Sequence, residues 1–106
     1  MISTLEKIRR LEEYLTHYNS DIDPVIETTI DKLLVREQDR LLELKTRLTN
    51  ELSEFEKRYD LNSNDFYQQY ETGELGDMMD YVEWAATLDM LTNVKRSLDL
   101  LEAANN

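Results

Sequence analysis

The chain contains no cysteine, which removes disulfides, zinc–thiolate centres and thiol nucleophiles together. A reducing compartment suits it. Glycine occurs twice and proline once in 106 residues, too few for the turns of a many-stranded sheet, so the composition points to helices. The single histidine, His17, has no carboxylate pair at metal-ligand spacing and reads as an exposed helix residue. There is no glycine-rich phosphate loop, no nucleophile elbow and no spaced Ser, His and Asp set, so neither enzyme chemistry nor a cofactor is expected. Nor does any apolar run approach the length of a membrane span. Glu6, Lys7, Arg9 and Arg10 stand where a secretory signal would be apolar. The expectation is a soluble, cytoplasmic protein without membrane contact.

Positive charge is scarce, and in one stretch it is missing. The formal net charge is -11, which argues against direct nucleic-acid binding, where Lys and Arg supply most of the affinity. Between Arg58 and Lys95 no Lys or Arg occurs, whereas Asp60, Asp65, Glu71, Glu74, Asp77, Asp80, Glu83 and Asp89 all fall inside that window. Phe66, Tyr67, Tyr70, Tyr81 and Trp84 are interleaved with them. A basic partner would meet an acidic surface bearing aromatic side chains. The competing reading is a solvated face that serves solubility alone.

What the chain has in abundance is helical periodicity. From Asp23 to Tyr59, Ile26, Ile30, Leu33, Leu41, Leu44, Leu48, Leu52, Phe55 and Tyr59 recur three or four apart or at multiples of that spacing, which keeps them on one stripe of a straight helix. Asp23 suits the cap and Pro24 the first helical position. A helix of that length needs something alongside it. Upstream, Leu5, Ile8, Leu11, Leu15 and Tyr18 mark a first amphipathic helix from Ser3, with Glu6 and Arg10 one turn apart. Asn19, Ser20 and Asp21 begin the interruption that ends at Pro24. On the long helix, Glu43 with Arg47 and Glu54 with Arg58 are spaced to pair.

After Tyr59, Asn62 is placed as a cap with Asp65 at the third helical position, and Leu61 can staple onto Phe66. A short helix should follow and stop at Gly73, with Asp77 capping the last helix. In that last helix Trp84, Leu91 and Leu98 repeat every seven residues, with Leu88, Val94 and Leu101 between them, a coiled-coil-like seam suited to the long helix. Met79, Val82, Ala86 and Met90 form a second stripe, so the start of this helix is expected to be buried on two sides. Val35 and Leu42 give the long helix a second apolar face. The expected architecture is a single all-α domain over residues 1–106, a long antiparallel helical hairpin with an N-terminal helix and a short corner helix. The first helix folding back could cover the second face of the long helix, and so could another copy of the chain; together the second faces lead to the expectation of a homodimer or higher oligomer.

Asp60, Asn62, Asn64 and Glu71 fall on the first, third, fifth and twelfth positions of a calcium-binding helix-loop-helix loop. The sixth position, where that loop needs glycine, is Asp65. The spacing is better explained by a helix cap, and no metal is expected. Met78, Met79 and Met90 suit either a core or an adaptable partner surface.

The segment from Phe66 to Asp77, followed by Tyr81, Val82, Glu83, Trp84 and Ala85, resembles a pattern in small helical prokaryotic proteins, many of them uncharacterised, some of which look like antitoxin partners in two-gene toxin–antitoxin modules. The resemblance covers the last half of the chain and rests on Phe66, Tyr70, Gly73, Asp77 and Trp84, which it implies pack the short helix on the last one. It also implies an acidic protein that masks a basic, ribonuclease-like partner. On this reading Glu71, Glu74, Asp77, Met79, Asp80 and Glu83 would carry the partner contact. The alternative is a self-associating structural or adaptor coiled coil with no toxin partner.

Overall fold

The computed structural model describes residues 1–18 and 22–105, the Tyr18 side chain excepted. The expected interruption at Asn19, Ser20 and Asp21 lies outside the described residues. The described chain is all-α, with helices α1 (Thr4–Tyr18), α2 (Pro24–Tyr59), α3 (Ser63–Glu71) and α4 (Met79–Asn105). It divides into two compact units, Met1–Lys32 and Leu33–Asn106.

In the first unit the helix starts follow from local chemistry. Ser3 Oγ accepts from the Glu6 N–H at 3.1 Å, and Asp23 Oδ1 accepts from the Val25 N–H at 2.8 Å, so each helix meets an oxygen where its first N–H groups have no intrahelical partner. Pro24 occupies the first turn, where its missing N–H costs nothing. The Glu6–Arg10 pair forms at 3.4 Å. Along the apolar stripe of α1, Leu5 is 66% and Ile8 55% exposed, Leu11 is exposed and Leu15 is half-buried.

The second unit is an antiparallel pairing of α2 with α4. Leu48 lies in one cluster with Val94 and Leu98, and Leu52 in another with Phe66, Trp84 and Ala85. Toward the open end the Asn105 amide donates to Gln38 Oε1. As one helix is read forward the other is read backward, so the seven-residue seam Trp84–Leu91–Leu98 faces the C-terminal half of the α2 stripe. In the N-terminal half of that stripe Ile30 and Leu33 are exposed and Ile26 is half-buried.

The corner and the connection to α4 turn on three left-handed residues, Asp60, Gly73 and Gly76. Asp60 has φ 49° and lets the Leu61 N–H reach back to the Glu56 carbonyl at 3.2 Å, closing α2. Asn62 then caps α3: its Oδ1 accepts from the Asp65 N–H at 2.8 Å and its amide donates to Asp65 Oδ2 at 3.0 Å. The Ser63 N–H is taken by Glu56 Oε2 at 2.8 Å. Gly73, φ 81°, ends α3 with the Glu74 N–H on the Gln69 carbonyl at 3.0 Å. At the start of α4 the structure departs from expectation by a residue or two. The helix begins at Met79, and the Met78 carbonyl accepts from the N–H groups of Tyr81 and Val82. Asp77 sits just outside, exposed.

Trp84 and Phe66 are both 0% exposed and stack with centroids 3.9 Å apart and planes 2° from parallel. Phe55 stacks on Trp84 at 5.5 Å, Tyr59 at 5.9 Å, and Tyr70 on Phe66 at 5.5 Å. The indole N–H donates to Ser63 Oγ at 3.0 Å, so the buried donor is satisfied. This aromatic stack ties the corner helix to both long ones.

Candidate functional site

The residues expected to meet a partner fall into two groups. Glu71, Glu74 and Asp77 project from the end of α3 and the connection to α4, and all are exposed, as are Met78 and Met79, the latter at 70%. Glu83 is exposed on α4. Asp80 differs from all of these. It is half-buried, its Oδ2 accepts from Arg58 Nη1 at 2.9 Å, and the same oxygen accepts from the Tyr59 hydroxyl. Those bonds hold its carboxyl below the usual carboxylate range, the Tyr59 bond contributing most and Arg58 next. The Asp80 bond, with desolvation next, raises the Tyr59 hydroxyl in turn. Asp80 therefore ties α4 to the end of α2 rather than offering a free charge, contrary to the expectation that it faces a partner.

Asp89 is engaged too. It accepts from the Tyr67 hydroxyl at 3.0 Å, and this bond, with desolvation next, pushes Tyr67 up to about 12. Of the acidic window, then, two carboxylates staple helices together. The exposed negative charge gathers at the corner, where Glu71 also acts on the Tyr67 hydroxyl. Arg58, at the edge of the window, has its charge already matched by Asp80, so it does little to offset Glu71, Glu74 and Asp77. The expected Glu54–Arg58 pair is replaced by this longer-range one, and Arg47 lies 3.9 Å from Glu51 rather than pairing back to Glu43.

Phe66, Tyr70, Gly73 and Trp84 are brought together as a structural junction: three are aromatic members of the stack and Gly73 turns the chain out of it. Asp77 belongs to the exposed connection instead.

The second stripe of α4 is not buried within the chain. Met79, Val82, Ala86 and Met90 are exposed, because α3 lies on the neighbouring flank, where Ala85 is covered. Val35 and Leu42 on α2 are likewise open. A groove of about 480 Å³ runs between α2 and α4 beside this stripe, lined by Glu51, Glu54, Phe55 and Arg58 from α2 and Glu83, Ala86 and Thr87 from α4. Glu51 is not among the residues that the sequence singles out, and Glu54 stands out there only as a pairing partner for Arg58. The available signal was their position on the flank of Phe55 at helical spacing, but a carboxylate on a helix flank is ordinarily solvated surface.

Among the described residues no group of three or more His, Asp or Glu side chains is arranged to hold a metal, and no helix is long and apolar enough to cross a membrane. In the stretch that resembles a calcium loop, Asn62 uses its amide as the α3 cap and Asp60 takes the left-handed turn that closes α2. His17 lies on the exposed surface of α1. Set against protein-family models, curated proteins and solved structures, the chain matches none of them.

Proposed function

We propose that this protein is an acidic helical interaction module, antitoxin-like in action, that binds and neutralises a small basic protein such as a ribonuclease-type toxin. One observation carries the reading: Glu71, Glu74 and Asp77 stand exposed with no Lys or Arg between them and Lys95, beside the exposed methionines Met78 and Met79. Uncompensated charge speeds encounter with an oppositely charged protein, and adaptable apolar side chains hold the docked complex. The module works by occupying its partner's surface, without chemistry of its own. Glu71→Gln, Glu74→Gln and Asp77→Asn together, with Asp80 left in place to hold the fold, should slow association with the co-purified partner and flatten its salt dependence. An unchanged association rate in low salt, or recovery of this protein alone from its native host, would defeat the reading.

A second reading has its own support. The open stripes on α1, on α2 at Val35 and Leu42, and on α4 favour a self-associating helical adaptor, because amphipathic faces of this length are ordinarily covered. A molar mass of a single chain at micromolar concentration would remove it.

A further inference from the structure

Two of the open surfaces match each other. On α1, Ile8 is the middle of the stripe Leu5–Ile8–Leu11, and Lys7 and Arg9 lie about 100° to either side of it. Both are exposed; Arg9 keeps 71% of its side chain in solvent and lies 3.8 Å from Glu6. The groove of the second unit has the opposite pattern. Its floor is Phe55, Ala86 and Thr87, its α2 wall carries Glu51 and Glu54, and its α4 wall carries Glu83. The remaining cation there, Arg58, is matched by Asp80. From Glu51 to Arg58 and from Leu5 to Leu11 the helical rise is roughly 10 Å in each case, so two turns of the one span the length of the other.

We infer that the groove between α2 and α4 receives α1 of a second copy of the chain, with Leu5, Ile8 and Leu11 on Phe55 and Ala86, and Lys7 and Arg9 between the walls of Glu51, Glu54 and Glu83. The inference rests on the self-association reading and names its contact. Docking of this kind is helix-in-groove recognition, and when each copy lends its α1 to the other the contact closes as a two-fold dimer. Met79 and Met90, on the same side of α4 as Ala86, border the docked helix and take apolar cover that the single chain does not provide. Glu12 follows Ile8 by one turn, about 40° round the helix, and so marks the edge of the docked segment, with Lys7 and Arg9 on the end that enters.

Charge reversal tests this. Lys7→Glu with Arg9→Glu is one variant, and Glu54→Lys with Glu83→Lys is the other; all four residues are exposed, and far-UV circular dichroism checks that each variant remains helical. Sedimentation velocity of the wild-type chain at micromolar concentration should return the mass of two chains. Each variant alone should dissociate with a constant raised by about tenfold or more, because every reversed contact occurs twice in a two-fold dimer. An equimolar mixture of the two variants should regain the two-chain mass, since each reversed α1 then meets a reversed groove. A wild-type mass of one chain would overturn the inference and the self-association reading together. A stable dimer that neither variant weakens, or variants that weaken it without rescue on mixing, would overturn docking of α1 in the groove while leaving self-association through another face intact.

Discussion

Trp84 offers the most direct measurement of what holds the second unit together. An indole of this kind buries roughly 200 Å², which at about 25 cal/mol per Å² corresponds to about 5 kcal/mol of transfer free energy. Alanine keeps part of that, but the space between Phe66 and Phe55 cannot close when both rings are held by their own helices. Trp84→Ala should therefore cost about 3–5 kcal/mol, against a total of about 4–11 kcal/mol for a unit of this size. The variant should sit near the edge of folding. A finer perturbation separates the ring from its N–H. Ser63→Ala leaves the buried indole donor without its acceptor and should cost about 1–3 kcal/mol. In a Trp84→Phe background the same change has no donor to orphan, so its effect should fall by about 1–2 kcal/mol. Urea unfolding followed by far-UV circular dichroism reads all five proteins on one scale, since the chain has a single Trp and fluorescence is lost in three of them. Equal Ser63→Ala effects in both backgrounds would refute the hydrogen-bond argument, and a loss below about 1 kcal/mol for Trp84→Ala would refute a packed aromatic core.

Asp80 has its carboxyl lowered by Tyr59 and Arg58, so its stabilisation is present above the unfolded value of about 4 and lost as pH falls through the lowered folded value. Asp80→Asn should flatten the acid side of a melting-temperature profile, and an unchanged profile would show that the latch contributes nothing. Tyr67, pushed up to about 12 by Asp89, contributes in the opposite window: its stabilisation is complete below about pH 10 and is lost as pH rises through the folded value. Ultraviolet titration should find Tyr67 among the last phenols to ionise, and Asp89→Asn should bring that step down. Gly73, at φ 81° with open space where a Cβ would stand, should lose about 1–2 kcal/mol on substitution by Ala and less by Asn, as measured by urea unfolding. Millimolar calcium should leave the melting temperature where magnesium leaves it, because the Asn62 amide is engaged as the α3 cap. A rise specific to calcium would contradict that assignment of Asn62.

Where helices start and stop was determined by the sequence itself wherever the signal is local. Asp23 and Pro24, Asn62 with Asp65, and Gly73 each act within three or four residues of themselves, and a backbone N–H or carbonyl at a helix end finds its partner or its turn inside that span. The heptad spacing of Trp84, Leu91 and Leu98 likewise carried its own meaning, since a stripe with that period requires a helix beside it. What covers a stripe is another matter. Periodicity states that an apolar face needs a neighbour without saying which, so the faces at Leu5 and Ile8, at Ile30 and Leu33, and at Met79 and Met90 read like core and are open in the single chain. Charge follows the same division. Asp80 and Asp89 look like their neighbours Asp77 and Glu83 in the sequence, and only the antiparallel pairing that brings Tyr59 to Asp80 and the corner packing that brings Tyr67 to Asp89 turned two acids into staples. Those partners lie more than twenty residues away along the chain. A carboxylate's freedom depends on which donors folding places next to it, and that information exists only in the tertiary structure.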